Sequence, residues 1–431
     1  MSSVLGVDFG TTNTVLSFDD GEGGRSLITF PMDGVPKPAF RSVLSFREEP
    51  NSTRPRSVEA GAWAIDEYLE DPLDTRFIQS FKTFAASHQF QSTTIFDRRY
   101  TFEDLLFAFL ARVRHHGGEA LKTLPETVII GRPVQFAGAA PDADLALERY
   151  DSAFQRLGFV DRHYVYEPAA AAFYFAQTLV GTAVVLVADF GGGTSDFSVI
   201  RFDRTGGQVT STPLSHSGVG VAGDAFDYRI IDHIVSPRLG KGSTYRSFEN
   251  VLPVPNKYYA AFARWSQLAL LKTSRELVEL RALVRATDTP ALADFVELIE
   301  DDHGYPLYRA VSATKEGLSV ADEAPFAFEA GRIDIKAQIK RSDFEAWIKP
   351  ELDQIQAAVD RAVTGAGLAN SDIDQVFLTG GSSFVPAVRR IFSQRFGDAA
   401  IASGGEFESI ASGLSLIGQD DNLDQWSQSL D

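Results

Sequence analysis

The chain has 431 residues, 44% of them hydrophobic and 23% charged, with a formal net charge of −18 and no cysteine. That length corresponds to two to four units at roughly 100–200 residues per domain, and the composition is that of a globular chain in water. The charge argues against a general nucleic-acid binder, which needs a basic face. The lack of cysteine excludes disulfides, thiolate zinc sites and a Cys nucleophile.

Residues 4–18, VLGVDFGTTNTVLSF, read as an apolar strand ending in Asp8-Phe9-Gly10, a small polar turn at Thr11-Thr12-Asn13, and a second apolar strand. No signal peptide precedes this hairpin, so a cytoplasmic location is expected. A turn at 19–24 and short strands with five prolines over 25–58 lead to a helix expected over Ala60–Glu70. Lys82 then stands between Phe81 and Phe84. A lysine in aromatic company buries its stem and keeps its head in water; in a phosphate site it supplies a point charge. The residues alone favour the first role.

Helical spacing predicts a helix over Phe102–His115, a strand over Glu126–Ile130 with Pro133 just beyond it, and a helix over Leu145–Leu157 stopped by Gly158. A strand at His163–Tyr166 runs into Glu167-Pro168, with proline suited to the first helical position. Glu167 at that helix start either complements the dipole or orients a water. Residues 168–188 carry no charge, but Gln177, Thr178, Gly181 and Thr182 interrupt them. They read as a buried helix, a break and a strand rather than a membrane span.

Val184–Ile200, VVLVADFGGGTSDFSVI, repeats the opening pattern. Asp189 corresponds to Asp8, Phe190 to Phe9 and Gly191 to Gly10. Strand, glycine turn and strand make a tight hairpin. Successive turn N–H groups form an anion-binding concavity, and an Asp at the strand end suits a hydrated Mg²⁺. This is not a Walker-type loop, because no Gly-Lys-Ser/Thr follows and strands flank the glycines. Two copies of one phosphate hairpin imply two similar lobes closing on one nucleotide.

Beyond it, a turn at Gly218, Gly220 and Gly223 is expected to open a helix at Asp224. Residues 236–256 are polar and proline-punctuated; a helical block follows, with Lys257–Ala286 broken near Ser274 and further pieces at Asp294–Asp302 and Tyr308–Leu318. Phe326–Ile339 alternates like a strand, and Ser342 has capping-box character at the start of a helix to Val363. Asp374–Gly381 is a strand ending in Gly380-Gly381, and Ser382 leads toward a helix over Ala387–Phe396. A last helix over Ile410–Ile417 and an acidic, frayed tail complete the reading.

Five motifs occur in order: VDFGTTNT, YVYEPAAAA, ADFGGGTSDFSV, GVAGDAFD and VFLTGGSSFVP. Together they resemble the ATPase domain of DnaK-type heat-shock chaperones, within the actin/hexokinase/DnaK superfamily, and above all its short YegD-like members. The resemblance runs from Val4 to about Gly418. It implies an α/β, two-lobed actin-like ATPase fold with duplicated ribonuclease-H-like lobes and an inserted helical subdomain. It implies lobe I over 1–180, completed by about 403–418, lobe II over 181–402 with the insertion at about 221–330, and an acidic tail at 419–431.

By position the family pattern assigns Asp8 and Asp189 to Mg²⁺ through water. Gly10, Thr11, Thr12, Asn13 and Gly191, Gly192, Gly193, Thr194 would meet the phosphates of ATP or ADP. Lys82 falls at the γ-phosphate lysine, Glu167 at the residue that positions the attacking water, and Asp196 beside the cation. Gly223, Lys315, Ser319, Gly380, Gly381 and Ser382 fall in the nucleotide pocket. Pro133 resembles the family's proline switch, with Arg149 an approximate match to its second residue. The family's adenine-stacking Arg is Phe384 here, whose ring could still stack on the base without the cation, and its Glu and Arg on the Lys315 helix are Ser312 and Glu316, which bears on adenine selectivity rather than phosphate binding. No apolar linker follows the ATPase region, so a peptide-binding domain is expected to be absent.

The expected function is an Hsp70-like chaperone-type protein that binds and slowly hydrolyses Mg-ATP and is read by a protein partner or co-chaperone, with no nucleic acid or membrane involved. The alternatives are a non-hydrolysing nucleotide sensor or interaction module, a small-molecule kinase, and an actin-like filament former.

Overall fold

The computed structural model describes residues 2–32, 35–48, 56–72, 74–138, 140–177, 179, 181–205, 208–263, 271, 274–287, 290–402, 405, 408–420 and 423–428. Two mixed sheets, each centred on one of the Asp-Phe-Gly hairpins, organise these residues. Val4–Phe9 pairs antiparallel with Asn13–Asp19 and parallel with Thr127–Arg132, which pairs parallel with Asp161–Tyr166. In the other sheet Ala183–Phe190 pairs antiparallel with Ser195–Thr205 and parallel with Gln375–Thr379. The same hairpin-plus-crossover arrangement therefore occurs twice, once in each of two lobes.

Both sheets bury apolar strands on both faces, as parallel pairing flanked by helices requires. Val4, Leu5, Val7 and Phe9 are buried in one and Val185, Leu186, Val187 and Ala188 in the other. Between the sheets lie two helices of small residues, Glu167–Ala176 and Ser409–Ile417. Ala169–Ala172 let the backbones approach so closely that a Cβ at Gly413 would stand 1.8 Å from the Ala170 carbonyl oxygen. Gly413→Val should therefore cost roughly 3 kcal/mol or more, because over-packing here meets backbone rather than a movable side chain. Urea unfolding of the variant against Gly413→Ala, where only the Cβ is added, measures it; equal midpoints for both and the parent would refute this packing.

Several local expectations need correction. A third strand, Gln208–Val219, lies beside Ser195–Thr205, with a register shift between Val199 and Ile200. It was unread because serines, threonines and Pro213 break its alternation. Gly218 thus ends a strand, and the helix over Gly223–Ile230 follows. The proline-punctuated stretch contains a hairpin, Thr244–Ser247 with Asn250–Pro253. Asn256–Ala263 is 3-10 rather than α-helical, and 264–270 of the expected helix lie outside the described residues. The break at Ser274 is real: its hydroxyl accepts from the Leu277 N–H and caps Arg275–Ala286.

Phe326–Ile339 is two strands, Glu323–Ala330 and Ile333–Lys340, folded back at Gly331. Ser342 makes no capping box, since Lys340 holds the N-cap position without a side-chain bond, and a second helix, Lys349–Gly365, starts at Pro350. The tail is not frayed where it is described. Ser427–Gln428 pairs antiparallel with Val165 and Tyr164, and Trp426 is buried with its ring 5.7 Å from that of Phe173. Its aromatic burial outweighs the fraying expected of a polar terminus. Among the described residues no helix is long and apolar enough to cross a membrane.

Candidate nucleotide site

The two hairpin turns face one another. A Cβ at Gly192 would stand 3.1 Å from Thr12 Oγ1 and 3.2 Å from Thr11 Cβ. Each turn closes in the same way: the Gly10 N–H donates to Asn13 O at 3.0 Å, and the Gly191 N–H to Thr194 O at 2.9 Å. Beside them the Asp224 N–H donates to Gly192 O at 2.7 Å, which fixes the start of the Gly223–Ile230 helix on the second turn.

A cleft of about 520 Å³ opens between the lobes. Its lining brings together Asp8, Gly10, Thr11, Thr12, Asn13, Lys82, Glu167, Asp189, Gly191, Gly192, Thr194, Gly223, Lys315, Gly380, Gly381 and Ser382. At Gly380, φ is 81° and a Cβ would lie 2.1 Å from Phe190 O, so only glycine fits where the strand Gln375–Thr379 passes the second hairpin.

Lys82 sits on the 3-10 turn Phe81–Phe84. It does not send its head to water: Nζ donates to Glu167 Oε1 at 2.8 Å, both side chains are buried, and the ammonium lies 5.8 Å from the Phe9 ring centroid. Burial alone would depress this lysine, but Glu167, with Tyr150 and Asp8 behind it, more than reverses that and holds it above its ordinary value. The carboxylates respond oppositely. Burial, then Glu167, pushes Asp8 up to about 7 while Lys82 pulls it back. Burial, then Glu167, likewise takes Asp196 up to about 7. Burial, then Glu167, Asp8 and Asp196, holds Asp189 well above the usual carboxylate range.

Four expected site residues do not line the cleft. Asp196 is opposite Asp189 across the hairpin and fully buried; Oδ1 accepts from the Gln135 N–H at 3.0 Å, and Oδ2 is buried without a hydrogen-bond partner. Gly193 faces Ala137 and Thr83. Ser319 lies a turn beyond Lys315 and donates to its carbonyl at 3.0 Å. Phe384 is 51% exposed and is not among the residues that line the cleft.

Arg149 is the approximate match to the second switch residue. It donates to the carbonyls of Phe84, Ala85, Ser87 and Phe90, and so braces the segment that follows Lys82. Arg132 instead donates to Pro133 O at 3.3 Å, with its guanidinium 4.9 Å from the Tyr166 ring centroid. The sequence reading missed Arg41, Asp224, Asp227, Tyr305 and Tyr308, all on the cleft wall. Lys315 is paired with one of them, Asp227, at 2.7 Å. The Gly-Asp-Ala-Phe-Asp spacing could have flagged Asp224 and Asp227, but nothing in the sequence near Arg41 marks it.

A fold of two hairpin-centred lobes, with acidic residues and glycine turns facing one cleft, defines the actin-like ATPase class. A family model described as Hsp70 protein matches residues 85–242 and 305–419, more than half of the chain. The chain belongs to the Hsp70 family. Proteins named chaperone protein DnaK from two strains of Halobacterium salinarum are each 25% identical over 424 residues, which cover 96% of this chain and 55% of theirs. The chain spans about half the length of the curated relatives it matches.

Proposed function

We propose that this chain binds Mg-ATP between its lobes and hydrolyses it slowly, as the nucleotide-driven part of a chaperone-type protein whose lobe closure is read by a protein partner. One observation carries the reading: Asp8 and Asp189, from two copies of one hairpin, face a single cleft whose floor is the Lys82–Glu167 pair. On this reading lobe I is 1–180 with about 403–418, and lobe II is 181–402.

The donor set fits a hard cation. Three carboxylates held above their usual range, two of them buried and one with an orphan oxygen, are what oxygen-ligated Mg²⁺ would relieve. Asp8 and Asp189 would hold it through water, with Asp196 beside them. When bound, Mg²⁺ supplies charge neutralisation at the phosphates. The rest of phosphoryl transfer to water is positioning and electrostatics. The N–H groups of both turns and Lys82 meet charge on the terminal phosphoryl group, and Glu167 orients the water. Because Lys82 engages Glu167 directly, each fixes the other's rotamer.

Titration calorimetry with ATP, ADP and GTP in Mg²⁺, followed by a turnover assay on the same sample, tests the reading. Micromolar ATP binding with turnover well below one per second is expected. Binding with no turnover would make the chain a nucleotide sensor, and no binding would reject the site.

A further inference from the structure

The cations on the cleft wall differ in how they are neutralised. Lys82 pairs with Glu167 at 2.8 Å and Lys315 with Asp227 at 2.7 Å. Arg41 has no such partner: among the described residues no carboxylate lies within ion-pair distance of its guanidinium. Its hydrogen bonds go to two neutral groups, Asn13 Oδ1 at 3.2 Å and the Tyr308 hydroxyl at 3.0 Å.

These two bonds come from opposite sides of the cleft. Arg41 is on the short strand Phe40–Arg41, in register with Asn13 at the end of the first phosphate turn. That register is secured by the Ser42 N–H, which donates to Thr12 O at 2.9 Å, and by the Thr14–Ser42 hydroxyl pair at 2.9 Å. Tyr308 belongs to the helix Gly304–Val320 of the other lobe, which also carries Lys315. Arg41 therefore stands beside the turn, lines the cleft, and touches both lobes.

A guanidinium is permanently charged and carries five donors in a planar fork. Burial works against the charge of Arg41, and Tyr308, Tyr305 and the more distant Glu316 offset it; none of them is an anion in contact with the fork, and phosphate oxygens match its geometry bidentately. We infer that Arg41 is a phosphate-binding residue of this site, which takes the outermost phosphate of a nucleoside triphosphate and through Tyr308 ties its presence to closure of the second lobe. This rests on the nucleotide reading above and deepens it: the site then discriminates triphosphate from diphosphate by charge delivered from lobe I, in addition to Lys82.

The test compares the parent with Arg41→Ala, Arg41→Lys and Tyr308→Phe by calorimetry with Mg-ATP and Mg-ADP. Arg41→Ala is expected to weaken ATP about 10- to 30-fold, the size of one charge-assisted pair, and to leave ADP within about threefold. Arg41→Lys should recover part of the ATP loss, and Tyr308→Phe, which removes the bond to the second lobe, should weaken ATP more than ADP; an unchanged ratio there would overturn the link to lobe closure. Thermal melts without ligand check that each variant is folded. Equal losses for ATP and ADP in Arg41→Ala would overturn the phosphate assignment and leave Arg41 an interlobe brace. A parent that binds ATP beside an unaffected Arg41→Ala would overturn the inference alone. A parent that binds neither nucleotide would overturn both it and the function proposed above.

Discussion

Replacing Lys82 by Ala should produce a protein that is both less stable and catalytically silent, and the two effects should separate on a second substitution. The Lys82–Glu167 pair is buried on both sides at 2.8 Å. Removing one partner of such a pair strands a charge in low dielectric, at a cost of roughly 3–5 kcal/mol. The carboxylates close behind it, Asp8 and Asp189, lose the cation that partly offsets them. On the proposed function, loss of a preorganised donor to the terminal phosphoryl group should remove a further factor of roughly 10²–10³ in turnover. Adding Glu167→Gln to Lys82→Ala removes the stranded charge, so denaturant midpoints should return most of the way to the parent's while turnover stays absent. If Lys82→Ala were as stable as the parent, the pair would not be the buried contact seen here. If it were unstable yet still turned over at the parental rate, Lys82 would be structural only.

The case of Lys82 shows what was legible in the sequence. The two Asp-Phe-Gly hairpins are strong local patterns, and repetition fixed the two-sheet plan and the facing of Asp8 and Asp189 without any tertiary information. Lys82 was ambiguous because an aromatic neighbourhood is compatible with a water-facing ammonium. Only its carboxylate partner, 85 residues away, decides the matter. Arg41 was invisible for the same reason, since its neighbours Asn13 and Tyr308 lie 28 and 267 residues away. Phe384 is a different case: an aromatic residue at a stacking position in sequence does not say where the ring points, and here the residue is 51% exposed. The Gln208–Val219 strand and the tail strand were missed because tertiary pairing overrode weak local propensity.

The acidic side of the cleft makes the second large prediction: Asp189→Asn should raise the stability of the ligand-free protein at pH 8 while abolishing its response to Mg-nucleotide. Asp8 and Asp196 are each pushed up to about 7, and Asp189 well above its ordinary value, chiefly by burial and then by Glu167. A group whose folded pKa exceeds its unfolded value contributes stability that is full below the unfolded pKa, near 4, and is lost as pH rises through the folded value. The free protein should thus lose stability from about pH 4 through pH 7 and above. Each tenfold change in proton affinity is worth about 1.4 kcal/mol, so Asp8 or Asp196, at about 7 when folded, costs on the order of 4 kcal/mol once ionised at pH 8. Asparagine at 189 removes one charge and relaxes its neighbours. The gain should show as a melting temperature higher by several degrees at pH 8 and should shrink as the pH is lowered and the parent's carboxyl takes up its proton. On the proposed function Mg-ATP should raise the parent's melting temperature and leave the variant's unchanged, because the charge that strains the free protein is the charge the cation would neutralise. A variant less stable than the parent at pH 8 would show that hydrogen bonding, not repulsion, governs Asp189, and the link between cation binding and relief of strain would fail with it.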